Sequence, residues 1–283
     1  NKVRQFGLEG LKMSKELSIL VPGIRPHNWI DLYESTKIAC TKYDYEIVFT
    51  GPFDPPAQLL ENNNVKYFKD YSSVPVCMQK ATLECEGKLI FHTVDDGTLA
   101  KNSIDMAIDY YNKFCSKKDV INMRYREGQE KKGNSMPMRY WKAWSHGDLR
   151  LRGIDRDWAI SLQPMFSSQY FKDLGGFDCQ FEYSNHCHHD FIFRVQMDGG
   201  KIINSPIESC NADHFPGISG DHEPICIAQH QYDDPKFFEL YGSKMPVDRV
   251  KIDYDNWKSC PSVWKIRFNK QKIPETYEEM LNK

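Results

Sequence analysis

The sequence lacks the paired cysteine spacings that mark a structural metal site. Its cysteines are Cys40, Cys77, Cys85, Cys115, Cys179, Cys187, Cys210, Cys226 and Cys260, an odd, scattered set without a Cys-x-x-Cys. That pattern predicts reduced thiols and a cytoplasmic protein. There is no Asn-x-Ser/Thr acceptor site, which agrees. No apolar run approaches the ~20 residues needed to span a bilayer, so no integral membrane segment is expected in this chain. The first residues, Asn1 to Glu16, are polar and charged, unlike a signal peptide. A net charge of -2 gives no bulk attraction to nucleic acid or to an acidic membrane. No internal repeat or low-complexity segment is present.

What the sequence does contain is enough for one large α/β domain, or one domain with a tail, in 283 residues. Aromatic residues make up 13%, in keeping with a packed globule. Leu17 to Val21 is a β-branched apolar run stopped by Pro22-Gly23, a buried strand followed by a turn. Asn28 before Trp29-Ile30-Asp31 predicts a capped helix start. Tyr45 to Thr50 and Val65 to Phe68 predict two further strands. Val76 to Glu86 predicts a helix entered through Pro75 and closed by Gly87 at its C′ position. Leu89-Ile90-Phe91 predicts a fourth strand, a helix follows from Asn102 to about Tyr111, and Trp158 to Phe166 is a candidate strand. Ser167-Ser168 caps a short helix ended by Gly175-Gly176, and a last helix is expected over Asp190 to Asp198, stopped by Gly199-Gly200. The alternation predicts an α/β fold whose ligands bind at the carboxyl ends of the strands. Residues 1–16 form an N-terminal extension, 17–112 and 113–212 the two halves of one domain, and 213–283 a C-terminal extension rich in Asp, Pro and aromatics.

Two adjacent acids at the end of a buried strand, Asp95-Asp96, are costly unless something positive meets them. A divalent cation holding a diphosphate is one such partner; Asp-Gly is also a common turn pair. His186-Cys187-His188-His189, with Cys179 nearby, suggests zinc, but adjacent histidines seldom reach one tetrahedral ion.

The surroundings of these acids resemble the family-2 glycosyltransferases. The first half of the resemblance is a helix-Gly-strand passage, Gln79 to Gly97, leading into Asp95-Asp96 where that family carries Asp-x-Asp. The second half is Gly175-Gly176-Phe177-Asp178, then His188-His189-Asp190-Phe191-Ile192-Phe193-Arg194, then Gly199-Gly200. Both occur in the family's order, over roughly Leu17 to Ser209. The resemblance implies a GT-A, Rossmann-like three-layer domain with a mixed central sheet and a C-terminal extension. Residues 17–112 would be its nucleotide-sugar half and 113–212 its acceptor and catalytic half. It also implies an inverting transfer of sugar from a nucleoside-diphosphate-sugar donor, with Mn2+ or Mg2+, to a glycan, lipid-linked or protein acceptor.

Residue by residue, the resemblance implies donor contacts at Pro22, Arg25, Asp54, Gln79, Asp95 and Asp96. The metal would be held by Asp96 and Asp95. A C-terminal histidine, His214, would return to the ion, with His222 a weaker rival. Aligned without gaps from Gly87, the family's first aspartate falls on Val94 and its second on Asp96. Counted back from Arg194, its Glu-Asp pair falls on Cys187-His188 and its later acid on Asp190. Abstraction of the acceptor proton suits a partly desolvated carboxylate or an imidazole. Asp190 is therefore the expected base, with His188 and His189 as alternatives, and a helix cap is the competing role for Asp190. Trp141, Trp144 and Arg150 to Arg152 would serve sugar stacking or diphosphate binding from a middle loop. The missing aspartate at Val94 keeps a second class open, an inactive GT-A module that binds glycans or scaffolds partners. A sugar nucleotidyltransferase is a third, for which Pro22-Gly23-Ile24-Arg25-Pro26 poorly matches a Gly-rich phosphate loop.

Overall fold

The computed structural model describes residues 15–127, 134–136, 139–141, 158–212, 221–242, 248–268 and 273–282. Its centre is a 7-stranded sheet in the order β12-β6-β11-β4-β1-β2-β3. The strands are β1 (Lys15–Pro22), β2 (Tyr45–Gly51), β3 (Val65–Lys69), β4 (Gly87–His92), β6 (Val120–Asn122), β11 (Pro164–Ser167) and β12 (Ile202–Asn204). β4, β1, β2 and β3 run parallel, and β11 runs antiparallel between β4 and β6. The sheet is therefore mixed, with its switch of direction beside β4.

Alternation along β1 explains the layers. Leu17, Ile19 and Val21 face one side and meet α1 (Trp29–Ala39) and α4 (Ser103–Phe114) in a core with Trp29, Leu32, Ile104 and Ile108. Leu20 faces the other side, with Val48 and Ile90. There it joins α3 (Val74–Ala81), α5 (Ser168–Asp173) and α6 (Ser184–Met197) through an aromatic cluster of Phe166, Phe171, Phe177 and Phe191. Helix, sheet, helix is the three-layer α/β arrangement expected from the sequence. All nine cysteines carry free thiols. Among the described residues no helix is long and apolar enough to cross a membrane.

Several local expectations are corrected. Asn28 does not cap α1; it closes a 3-10 turn, Pro26–Asn28, and makes no side-chain cap bond. Gly87 does not end the preceding helix, since α3 stops at Ala81 and Gly87 is the first residue of β4. It is small because a Cβ there would lie 2.3 Å from the Ser18 nitrogen of the adjacent strand. The Trp158 to Phe166 run is broken into two strands, β10 (Trp158–Ile160) and β11. The helix expected over Asp190 to Asp198 starts at Ser184, six residues before Asp190, so Asp190 lies in mid-helix and caps nothing.

The Ser167 cap is present, with its hydroxyl accepting the Tyr170 N–H at 3.3 Å. The turn after α5 uses Gly175 and Gly176 at φ 90° and 72°. Gly176 is pressed against the buried Gln79 amide, which accepts the Phe177 N–H at 2.9 Å and donates to the Tyr254 carbonyl at 2.9 Å. Gly176→Ala would carry both a positive-φ penalty and a clash with Gln79, so a loss of about 2–4 kcal/mol is expected. Urea denaturation checks it; a loss below about 0.5 kcal/mol would show that this turn is not constrained as described.

Candidate functional site

Because β4, β1 and β2 are parallel neighbours, their carboxyl ends open at one place, and a cavity lies there. β1 leads into Pro22-Gly23-Ile24-Arg25, β2 into Gly51-Pro52, and β4 through His92 into Val94-Asp95-Asp96; all line the cavity except Thr93, which bonds inward to Gln163 at 3.1 Å. The loops approach so closely that only glycine fits. A Cβ on Gly51 would stand 1.9 Å from the Gly23 carbonyl oxygen, and one on Gly23 would meet Asp95 at 2.7 Å.

Asp95 clasps the first loop. Its Oδ2 accepts the backbone N–H groups of Ile24 and Arg25, each at 2.8 Å, and its Oδ1 accepts Arg25 Nη1 at 2.7 Å. The other side of the Arg25 fork grips Asp221, Nε to Oδ2 at 2.8 Å and Nη2 to Oδ1 at 3.1 Å, a bidentate pair. Asp96 Oδ2 lies 3.6 Å from Arg25 Nη1. Burial works against the Arg25 charge, but Asp95, Asp96 and Asp221 together outweigh it and hold its pKa above the ordinary value. Arg25 and Asp95 thus hold each other, and neither offers an open charge to a ligand as the sequence led us to expect.

Asp221 belongs to the C-terminal extension, which supplies the far wall of the cavity through His222, Ile225, Trp264, Arg267 and Phe268. Its carboxylate also takes the Tyr277 hydroxyl at 3.1 Å and His222 Nδ1 at 2.6 Å. A ring nitrogen held by a buried carboxylate fixes the tautomer and orientation of the imidazole, the arrangement used to position a general base. Asp221, Tyr277, Trp264 and Arg267 were not singled out from sequence. The signal available was the repeat of Asp213-His214 as Asp221-His222, inside a tail whose aromatics pack on Tyr71 and Tyr183 of the main domain.

The expected base is elsewhere. Asp190 is fully buried and does not line the cavity. Its Oδ2 accepts Arg194 Nε at 2.9 Å, and its Oδ1 accepts the Tyr241 hydroxyl at 2.6 Å and Arg249 Nη1. Burial raises its pKa, but Arg194 and Arg249 outweigh that and hold it below the usual carboxylate range. Arg194 in turn donates to the Leu174 and Gly176 carbonyls, so the pair locks the glycine turn. With both oxygens occupied by cations and a hydroxyl, this carboxylate is a structural counterion.

His188 and His189 are also buried off the cavity. His188 lies beneath His92, ring centroids 4.3 Å apart, and against Phe177 at 5.3 Å. His189 packs toward His186 and Phe237. Of the remaining expectations, Pro22 and Asp96 line the cavity. Asp54 is exposed in an ion pair with Lys69 at 3.0 Å, and Gln79 is the turn support described above. His214, Trp144 and Arg150 to Arg152 lie outside the described residues, as does the side chain of Trp141. Among the described residues no group of three His, Cys, Asp or Glu is arranged to hold an ion by itself.

Two outcomes follow from these placements. Asp190→Asn leaves Arg194 and Arg249 without their full counterion and is expected to cost about 3 kcal/mol or more in urea denaturation; a 100-fold activity loss in a protein of unchanged stability would restore it as the base. His92 is pushed down to about 4 by burial, against its Leu162 carbonyl contact, and His188 is also held neutral by burial. The unfolded chain takes up these protons near pH 6.5, so stability present above that pH falls as pH drops toward 4, by about 3 kcal/mol for His92. Melting curves from pH 7 to 4 check the slope, which His188→Leu should flatten.

No family model matches the sequence, and no curated protein matches it. Solved structures do match by shape. GalNAc-T7, solved with UDP, GalNAc and Mn2+, matches over 88% of this chain and 58% of its own, at 15% identity and TM-score 0.53. TarS 1-349 of S. aureus, solved in complex with UDP, matches over 71% of this chain and 61% of its own, at 14% identity and TM-score 0.49. The chain thus spans about three fifths of the length of each. The mixed sheet with helices on both faces, together with the GalNAc-T7 likeness, shows that this chain has the GT-A fold.

Proposed function

We propose that this chain transfers a sugar from a nucleoside-diphosphate sugar to an acceptor hydroxyl, with inversion. The observation that carries this is the cavity at the carboxyl ends of β4, β1 and β2, where Asp96 and an Asp221-held His222 line facing walls. In open α/β sheets this is where nucleotides bind. GalNAc-T7, which was solved with UDP in place, supports a nucleotide as the ligand.

The cavity suits a cation that arrives with the donor. Asp95, Asp96 and Asp221 face Arg25 and Arg267, three negative charges against two positive, before a diphosphate adds its own. A hard cation such as Mg2+ or Mn2+ is commonly held by one or two carboxylates plus substrate phosphates and water, with no complete protein cage. Asp96 is the carboxylate that would hold it: it lines the cavity and stands 3.6 Å from Arg25, whereas Asp95 and Asp221 bond Arg25 at 2.7 to 3.1 Å. The ion would offset the negative charge that develops on the leaving diphosphate. His222 takes the acceptor proton, Asp221 stabilises the resulting imidazolium, and the acceptor oxygen attacks the anomeric carbon as the diphosphate leaves with the bond's electron pair.

The test is turnover of a panel of nucleoside-diphosphate sugars with and without Mn2+. His222→Gln is expected to lower kcat by about 100-fold or more while donor affinity stays within twofold. Loss of Mn2+-dependent donor affinity in that variant would make His222 a cation ligand and leave the base unassigned. Donor binding without any transfer or hydrolysis would overturn the enzyme and favour a glycan-binding or scaffolding module.

A further inference from the structure

α4 is apolar on both faces. Its inner face, with Ile104, Ala107 and Ile108, is buried against the sheet. Its outer face carries Met106, Tyr110 and Phe114, four residues apart and so in one stripe of the helix. Met106 is 38% exposed and Phe114 60%, and the Tyr110 and Phe114 rings pack with centroids 4.8 Å apart. Lysines gather where the stripe ends. Lys113 Nζ lies over the Phe114 ring, 5.0 Å from its centroid. Beyond the helix a turn closed by Asp119 N–H to the Ser116 carbonyl at 3.0 Å puts Lys117 in solvent. Lys201 is fixed beside it, because the Asp119 carboxylate accepts the N–H groups of both Ser116, at 2.7 Å, and Lys201, at 2.9 Å. A Cβ on Gly200 would stand 2.3 Å from the Lys118 carbonyl oxygen, so the two loops are pressed together. Lys113, Lys117 and Lys201 are exposed, and none forms an ion pair among the described residues. The exposed acid of the same helix, Asp109, is already met by Lys42 Nζ and the Tyr43 hydroxyl, each at 2.6 Å. An apolar stripe thus ends in unbalanced positive charge, on a chain whose net charge is -2.

We propose that this face docks the chain on a membrane surface carrying anionic lipid. Aromatic and thioether side chains on an exposed helix face enter the headgroup layer, while long lysine stems keep their ammonium groups level with the lipid phosphates. Charge complementarity favours this occupant over an apolar groove of another protein, which would leave three lysines without counterions. The Met106-Tyr110-Phe114 stripe favours it over a soluble polyanion, which offers no apolar layer to receive the rings. Each lysine near such a surface adds about fivefold to the affinity. The cavity lies away from this contact. β11 runs antiparallel to both β4 and β6, so β6 is parallel to β4. α4 carries the chain from the carboxyl end of β4 back to the amino end of β6, which puts Phe114 at the end of the sheet opposite the cavity. A docked chain therefore keeps its cavity in water, and docking is independent of the proposed reaction.

Flotation of the full chain with lipid vesicles tests this. Binding is expected to vesicles of phosphatidylcholine mixed with phosphatidylserine, to be weak on phosphatidylcholine alone, and to fall as salt is raised. Phe114→Ser is expected to weaken binding to the mixed vesicles by about tenfold. The double variant Lys113→Gln, Lys117→Gln is expected to weaken it by about 20-fold, and Lys201→Gln by about fivefold. These side chains are exposed, so melting temperatures should match that of the wild type, and the three variants probe the face independently. No binding to the mixed vesicles overturns the proposal, as does equal binding to phosphatidylcholine alone. Wild-type affinity in all three variants would place any membrane contact elsewhere on the chain and overturns it too. Heparin is the control for a soluble polyanion: if it binds as tightly as the mixed vesicles, and Phe114→Ser changes neither, the face holds a polyanion and the membrane assignment fails.

Discussion

The Arg25 guanidinium, held between Asp95 on one side and Asp221 on the other, is the contact on which the site depends. Asp95 follows a central strand and also ties down the β1 loop through two backbone amides. Asp221 comes from nearly two hundred residues further along the chain. One side chain therefore joins the ends of the parallel strands to the segment that walls the cavity. A buried ion pair of this kind adds little net stability over an apolar core, because desolvation offsets attraction. Removing one partner is far more damaging, since the other charges are then left buried. Its effect is to fix one geometry, and the fixed geometry is the cavity.

A second buried network, centred on Asp190 of α6, repeats this logic. Asp190 and Asp178 draw Arg249, Arg194 and the Tyr241 hydroxyl together, so the glycine turn after α5, the long helix and the C-terminal segment meet around two carboxylates. The C-terminal segment is thus anchored to the domain at two separated charge clusters. It also packs Trp264 and Phe268 on Tyr71.

Much of the frame was legible. The apolar runs at Leu17–Val21, Tyr45–Thr50 and Leu89–Phe91 became adjacent parallel strands, because burial on both faces demands such runs. Gly175-Gly176 marked a turn that only positive φ permits. Helix ends were harder. Gly87 was expected to end a helix and instead serves a close strand contact. Asp190 was expected to open a helix because the residues before it, His186 to His189, carry no hydrophobic stripe. In the structure they are buried by packing against His92, Phe177, Phe181 and Phe237.

What the sequence alone determined was local and periodic: which runs are strands, where glycine is obligatory, and that an acidic pair ends the fourth strand. Those follow from short-range sterics and burial patterns, which a linear string carries. What each acid meets was decided by the tertiary structure. Asp95, Asp96 and Asp190 look alike in the sequence. Asp95 is clasped by Arg25 and the β1 loop, Asp190 by Arg194 and Arg249, and Asp96 lines the cavity with Arg25 at 3.6 Å, because partners as far as 71 residues apart in the chain arrive at them. A carboxylate's role is set by the charges and donors brought against it, and only folding brings them.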